Sequence, residues 1–203
     1  MKLKAKFIYL ISPNKIYKNF YNDLIEVFKT NKVKYFQLRL KKNTKNKIII
    51  ISRKIKKICK IYKVKFIIND YPLIAKIVNA DGCHLGQSDT NINTARKILK
   101  NKIIGITCNN SLKKAKNALK NNADYIALGA FNDSKTKKIK FRAKIKDLKI
   151  IRKISKKPIV AIGGINQYNY KKLLLNKADF LAISSFVWKN KKLKPVQAIK
   201  ILK

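Results

Sequence analysis

Eight short runs rich in β-branched and aromatic residues alternate, along a chain of 203 residues, with lysine-rich stretches of helical periodicity. A short Ala-Asp signature recurs between a helical stretch and the next apolar run, at Asn79-Ala80-Asp81, Asn122-Ala123-Asp124 and Lys177-Ala178-Asp179. No glycine-rich fingerprint follows the first run, where the chain reads LISPNK. These observations predict an α/β fold, a single (β/α)8 or TIM barrel over 1–203, in preference to an open doubly wound sheet. Units of about 25 residues sit near the lower limit for such a barrel.

The first strand is expected at 6–11 (KFIYLI), followed by a helix over 15–30. The second strand, 35–40 (YFQLRL), leads to a helix over 45–62, and the third, 65–70 (KFIIND), to a short helix within 71–79 with Pro72 near its first turn. Strand four, 82–87 (GCHLGQ), precedes a helix at 91–100; strand five, 102–108 (KIIGITC), precedes one at 112–121. Strand six, 125–131 (YIALGAF), is followed by a polar loop and a helix at 144–156. Strand seven, 158–165 (PIVAIGGI), precedes a helix at 167–176, and strand eight, 180–186 (FLAISSF), precedes one at 194–202. The three Ala-Asp signatures are expected to shape their helix-to-strand turns through Asx-type hydrogen bonds.

The charge is extreme: 50 Lys+Arg against 9 Asp+Glu, a formal +41. A hydrophobic content of 46% still permits a real core, which excludes a disordered polycation. Only Arg39, Arg53, Arg96, Arg142 and Arg152 are arginine, the residue favoured for forked contacts to bases and phosphates. The lysines are spread over the whole chain, whereas a nucleic-acid site is localised. Composition therefore argues against a specific nucleic-acid partner, and the nine acids become the informative minority. Cys59, Cys83 and Cys108 are odd in number and lack metal-ligand spacing, so they read as small buried hydrophobes. With no apolar run long enough to span a membrane and no signal-peptide pattern, a cytoplasmic protein with room for homo-oligomers is expected.

In a (β/α)8 barrel, chemistry gathers where strands end. Gln37, Arg39 and Lys41 alternate at the end of strand two, an amide, a guanidinium and an ammonium suited to an anionic group such as diphosphate. Asn69-Asp70 ends strand three and Asp89 follows strand four. Singly, Asp70 could form a turn before Pro72 and Asp89 could cap a helix. Together, beyond successive strands, the pair suits Mg²⁺ completed by phosphate oxygens and water. The 129–137 loop brings Ser134, Thr136 and Lys137 after strand six. Gly163-Gly164 after strand seven, with Ser184-Ser185 at strand eight, fits a phosphate corner, or else a tight turn before a helix. His84, the only histidine, reads as a hydrogen-bonded core residue rather than a base. Trp188 is expected to pack just past strand eight.

In order and spacing, QLRLK (37–41), IND (68–70), ADGCHLGQSD (80–89), IGIT (104–107), the 129–137 loop and AIGGI (161–165) resemble the thiamine-phosphate synthases. The likeness covers the chain from strand two onward. It implies a barrel enzyme, a transferase that joins hydroxymethylpyrimidine diphosphate to thiazole phosphate and releases diphosphate, with Mg²⁺ as cofactor. Gln37, Arg39, Lys41, Asn69 and Lys137 would hold the pyrimidine diphosphate, and Asp70 and Asp89 would ligate Mg²⁺. Thr107 stands where the family has a serine near the diphosphate, so Arg39, Thr107 and Lys137 are the implied catalytic groups. Gly164, Ser184 and Ser185 would face the thiazole phosphate, with Ser134 and Thr136 lining the same substrate. The sequence departs from the family's Gly-Pro loop at Ala130, Asn132, Asp133 and Ser134, and from a usual glycine at Phe180. These departures bear on the thiazole side. The sister thiazole tautomerases lack the metal carboxylates and carry a histidine at the place of Asn109, so they fit less well. A non-catalytic basic barrel binding RNA or another polyanion is the alternative of a different class.

Overall fold

The computed structural model describes residues 6–133 and 141–203. Its strands are β1 (Ile8–Ile11), β2 (Val33–Leu38), β3 (Lys65–Asn69), β4 (Gly82–Leu85), β5 (Ile103–Asn109), β6 (Tyr125–Gly129), β7 (Ile159–Ile162) and β8 (Phe180–Ile183). They pair in sequence order, all parallel, and β8 closes on β1, giving the barrel that the alternation predicts.

The helices are α1 (Phe20–Lys29), α2 (Lys45–Ile61), α3 (Pro72–Ile77), α4 (Ile92–Leu99), α5 (Leu112–Lys120), α6 (Ile145–Ile154), α7 (Tyr170–Leu175), α8 (Ser185–Trp188) and α9 (Pro195–Lys200). Three have side-chain caps at their N-termini, from Thr44, Asn91 and Ser111. Strand eight is shorter than expected because the backbone leaves the strand at Ser184 and winds into α8, where the sequence predicts continued strand. Strand two starts earlier than expected and ends at Leu38, so Arg39 and Lys41 lie in the following loop.

Strand alternation divides the core in two. Ile8, Leu10, Phe36, Leu38, Phe66, Ile68, Leu85, Ile104, Leu181 and Ile183 face the helices and form the large outer core. Tyr9, Ile11, Tyr125, Ala127, Val160, Phe180 and Ala182 fill the barrel itself. Phe180 opens β8 and meets the Tyr35 ring edge-on at 5.1 Å. Its place is thus in the packed interior of the barrel.

The repeated Ala-Asp signature has a fuller structural role than the expected Asx turns. Asn79, Asn122 and Lys177 take positive φ just past α3, α5 and α7, the left-handed cap that ends a helix. The next residue is a buried alanine whose N–H returns to the last helical turn, on Ala75, Ala118 and Leu173 respectively. Each aspartate then pairs reciprocally with the start of the neighbouring odd strand. Asp81, Asp124 and Asp179 donate their N–H to the carbonyls of Phe66, Ile104 and Ile159, and accept those residues' N–H groups on their carboxylates. A cation from an even helix completes each staple: Lys56 on Asp81, Arg96 on Asp124, Arg152 on Asp179. Three of nine acids therefore fasten the N-terminal end of the barrel, away from the expected site.

Candidate active site

At the opposite end, Asp70 and Asp89 come together. Asp70 follows β3 with φ 66°, its N–H on the carbonyl of His84, and its side chain is hydrogen-bonded to the carboxyl of Asp89. Asp70 does form the turn before Pro72, with the N–H of Tyr71 on the carbonyl of Asn69, whereas Asp89 is not the cap of the next helix. Asn91, not Asp89, caps α4, accepting from the N–H of Thr94 at 2.9 Å. Asp89 instead reaches back to the N–H of Gly86 at 2.6 Å. Asp70 faces Lys41, whose ammonium lies 3.1 Å away, and Tyr71 occupies the cap position before Pro72. Among the described residues, no Lys or Arg comes within ion-pair distance of Asp89, in a chain carrying 50 cations. Burial raises the Asp70 pKa, Asp89 raises it further, and Lys41 opposes both. Two neighbouring carboxyls of like charge favour a cation between them. As hard oxygen donors they suit Mg²⁺, and no larger cluster of His, Cys, Asp or Glu occurs among the described residues.

The cationic side of the mouth comes from the β2–α2 loop. The N–H of Arg39 donates to the Ser12 hydroxyl at 2.9 Å, which ties this loop to the end of β1. The Arg39 charge is near enough to oppose protonation of His84. Gln37, by contrast, is turned into the barrel, and its Nε2 donates to the Tyr9 hydroxyl at 3.0 Å. Asn69, buried beside His84 in the β3–β4 register, has no hydrogen bond from its side-chain amide among the described residues, so that amide is open to a ligand.

Beneath the mouth runs a polar chain of which the sequence predicts one link only, His84 as a hydrogen-bonded core residue. The Tyr9 hydroxyl lies 2.7 Å from that of Tyr125. The Tyr125 hydroxyl lies 2.8 Å from Nδ1 of His84, and Nε2 of His84 lies 2.8 Å from the Thr107 hydroxyl. Burial holds the His84 pKa down at about 4 and pushes both tyrosines up. Gly105 makes room for this arrangement, since a Cβ there would fall 1.8 Å from the Tyr125 ring. Thr107 is half-buried at the upper end of β5, and its carbonyl accepts from Nε2 of Gln87 at 2.6 Å. The signal available in sequence was the period of two, which puts Tyr9, Gln37, His84, Thr107 and Tyr125 on inward positions of five strands.

The third sector lies around β6–β8. Gly163 and Gly164 adopt φ of 109° and 55°, and both lie directly under the β6 loop. A Cβ on Gly163 would meet Ala130 at 2.4 Å, and one on Gly164 would meet the carbonyl of Asp133 at 2.1 Å. These glycines thus answer a steric demand as well as any ligand's. Ser184 donates its hydroxyl to the carbonyl of Ser12 at 3.1 Å, helping to close β8 on β1, while Ser185 opens α8. Trp188 packs on Phe20 and donates to the carbonyl of Ile11. The three cysteines are free and buried, as expected. Ser134, Thr136 and Lys137 lie outside the described residues. Their flanks are joined by the Asp133–Arg142 ion pair and by Ala130 bonding to Phe141 and Ala143.

With this geometry in view, comparison with known proteins is specific. The sequence model of a family described as thiamine monophosphate synthase matches residues 8–187. The thiamine-phosphate synthase of Pelagibacter ubique is 61% identical over 203 residues, which covers 100% of this chain and 98% of that protein. That of Clostridium acetobutylicum is 36% identical over 190 residues, covering 92% and 89%. A solved thiamine phosphate pyrophosphorylase from Pyrococcus furiosus superposes with a TM-score of 0.85 at 28% identity, covering 98% of this chain and 93% of that one. A 3-hexulose-6-phosphate synthase, at 14% identity and a TM-score of 0.67 over 96% of this chain and 98% of its own, shares the fold alone.

Proposed function

Because this chain belongs to the thiamine monophosphate synthase family and is a transferase, we propose that it joins hydroxymethylpyrimidine diphosphate to thiazole phosphate and releases diphosphate. The observation that carries this reading beyond the family is the neighbouring pair Asp70 and Asp89, with Lys41 on Asp70 and no ion-pair partner on Asp89 among the described residues.

The reaction breaks the C–O bond of the pyrimidinylmethyl diphosphate, and the electron pair leaves with diphosphate. The thiazole nitrogen then gives its lone pair to the methylene carbon, forming the C–N bond. No proton needs to be removed, so a neutral, doubly hydrogen-bonded His84 is no obstacle. The demand is electrostatic: charge building on the leaving group must be stabilised, and the two substrates must be held in line. Arg39, Lys41 and Lys137 would supply fixed positive charge to the diphosphate, with Thr107 as a hydroxyl contact. Asp70 and Asp89 fit Mg²⁺, which, when bound, would neutralise diphosphate oxygens. Asn69 offers a free amide to the pyrimidine, and Gln37 would contribute from the barrel wall. Gly164, Ser184, Ser185, Ser134 and Thr136 would take the thiazole phosphate. The overall positive field would draw both anions inward.

The test is product formation from the two precursors and Mg²⁺, compared with Asp89→Asn. Thiamine phosphate from wild type, and a rate at least about 100-fold lower in the variant, supports the reading. Undiminished turnover in Asp89→Asn would remove these carboxylates from the mechanism.

A further inference from the structure

The buried polar chain has a direction. A phenol carries one proton, and the amide Nε2 of Gln37 can only donate. Gln37 donates to Tyr9 at 3.0 Å, and Tyr9 lies 2.7 Å from Tyr125. If Tyr125 also donated to Tyr9, the proton of a fully buried Tyr9 hydroxyl would have no acceptor among the described residues, a costly arrangement. Tyr9 therefore donates to Tyr125, and Tyr125, its oxygen occupied, donates to Nδ1 of His84. A neutral imidazole that accepts at Nδ1 carries its proton on Nε2, and that proton points at the Thr107 oxygen 2.8 Å away. The Thr107 hydroxyl, already accepting from His84, is left to donate. Among the described residues it has no protein acceptor, and it stands half-buried at the same end of the barrel as Asp70 and Asp89.

We propose that Gln37, Tyr9, Tyr125 and His84 form a one-way hydrogen-bond chain across the barrel that fixes Thr107 as a donor to the anionic group bound at the mouth. Tyr9, Tyr125 and His84 are positioning residues, acting only through Thr107. The chain crosses five strands, β2, β1, β6, β4 and β5, so the polarity of a hydroxyl on one wall is set by an amide on the other. For a reaction that ends with more charge on the leaving diphosphate, a hydroxyl committed to donation favours the transition state, whereas one that accepted from solvent would not. The proposal deepens the reading above and rests on it for the identity of the anion.

Histidine labelling gives a direct test, because His84 is the sole histidine and its ring nitrogens report their protonation by chemical shift. The wild-type protein is expected to show a single tautomer, protonated at Nε2 and bare at Nδ1. Tyr125→Phe keeps the ring that stacks on His84 at 5.6 Å and removes only the hydroxyl, and Tyr9→Phe interrupts the chain one link earlier. In Tyr125→Phe, His84 should lose the pure Nε2–H form. Its kcat should fall about tenfold, the worth of one hydrogen bond, with both KM values within about twofold of wild type. In a Thr107→Val background, adding Tyr125→Phe should cost nothing further. An Nδ1–H tautomer in wild type, or independent losses in the double variant, overturns the proposal. Absence of product from wild type with the Nε2–H tautomer intact would instead strike the proposed reaction and leave the directional chain standing.

Discussion

The ammonium of Lys41 stands 3.1 Å from the carboxylate of Asp70, whose pKa the neighbouring Asp89 raises. Lys41 pairs with Asp70 alone, and burial together with Asp89 raises the proton affinity of Asp70. This is an electrostatic debt that a divalent cation would settle.

A stability measurement follows from that relationship. Without metal, Asp89→Asn relieves like-charge contact and keeps an oxygen for the N–H of Gly86, so its Tm should equal or exceed that of wild type. With Mg²⁺ and inorganic diphosphate, wild type should gain about 2–3 kcal/mol at ligand near 100-fold over Kd, and the variant should gain little. Thermal melts with and without the ions check both signs.

Gly164→Ala should disturb one substrate more than the other. The new methyl group would sit in the left-handed region and 2.1 Å from the carbonyl of Asp133, so the β6 loop must move. We expect a stability loss of about 1–2 kcal/mol from the backbone alone. The KM for thiazole phosphate should rise by more than that for pyrimidine diphosphate, as initial-rate kinetics on each substrate would reveal.

His84 makes stability depend on pH. Its pKa falls from 6.5 to about 4 on folding because burial penalises the charged ring. The unfolded chain therefore binds the proton first, and the contribution is complete above pH 6.5 and lost on acidification. Between pH 6.5 and about 4 the slope should be about 1.4 kcal/mol per pH unit from this group. Urea unfolding across that range, compared with His84→Gln, isolates it; an equal slope in both proteins would contradict the assignment.

The staples at the other end should matter for stability alone. Asp124→Ala removes the acceptor for the N–H of Ile104 and the partner of Arg96, at a cost of about 1–3 kcal/mol. Because these contacts sit at the N-terminal end of the barrel, kcat and both KM values should stay unchanged. A kinetic defect at full folding would show that the two ends are coupled.

Much of the barrel was legible because each strand is buried on both faces, against helices and inside, so a short apolar run marks it. The scarcity of acids made Asp70 and Asp89 conspicuous, and the fold placed them together. What escaped were features set by tertiary distance. Arg39 and Lys41 were assigned a strand face, yet β2 stops at Leu38 where its pairing with β3 ends. Ser184 and Ser185 were read as strand, but the chain turns into α8 there. The Ala-Asp repeat was visible, whereas its reciprocal bonds to Phe66, Ile104 and Ile159 join segments whose adjacency exists only in the closed sheet. The Gln37–Tyr9–Tyr125–His84–Thr107 chain was hidden for the same reason, its links being distributed over five strands.

The central claim is tested most directly by incubating the purified protein with hydroxymethylpyrimidine diphosphate, thiazole phosphate and Mg²⁺, and measuring thiamine phosphate and diphosphate. The account predicts both products in equal amounts, with formation abolished by chelation of the metal. Failure to form thiamine phosphate under these conditions, or formation at an undiminished rate after chelation, would contradict it.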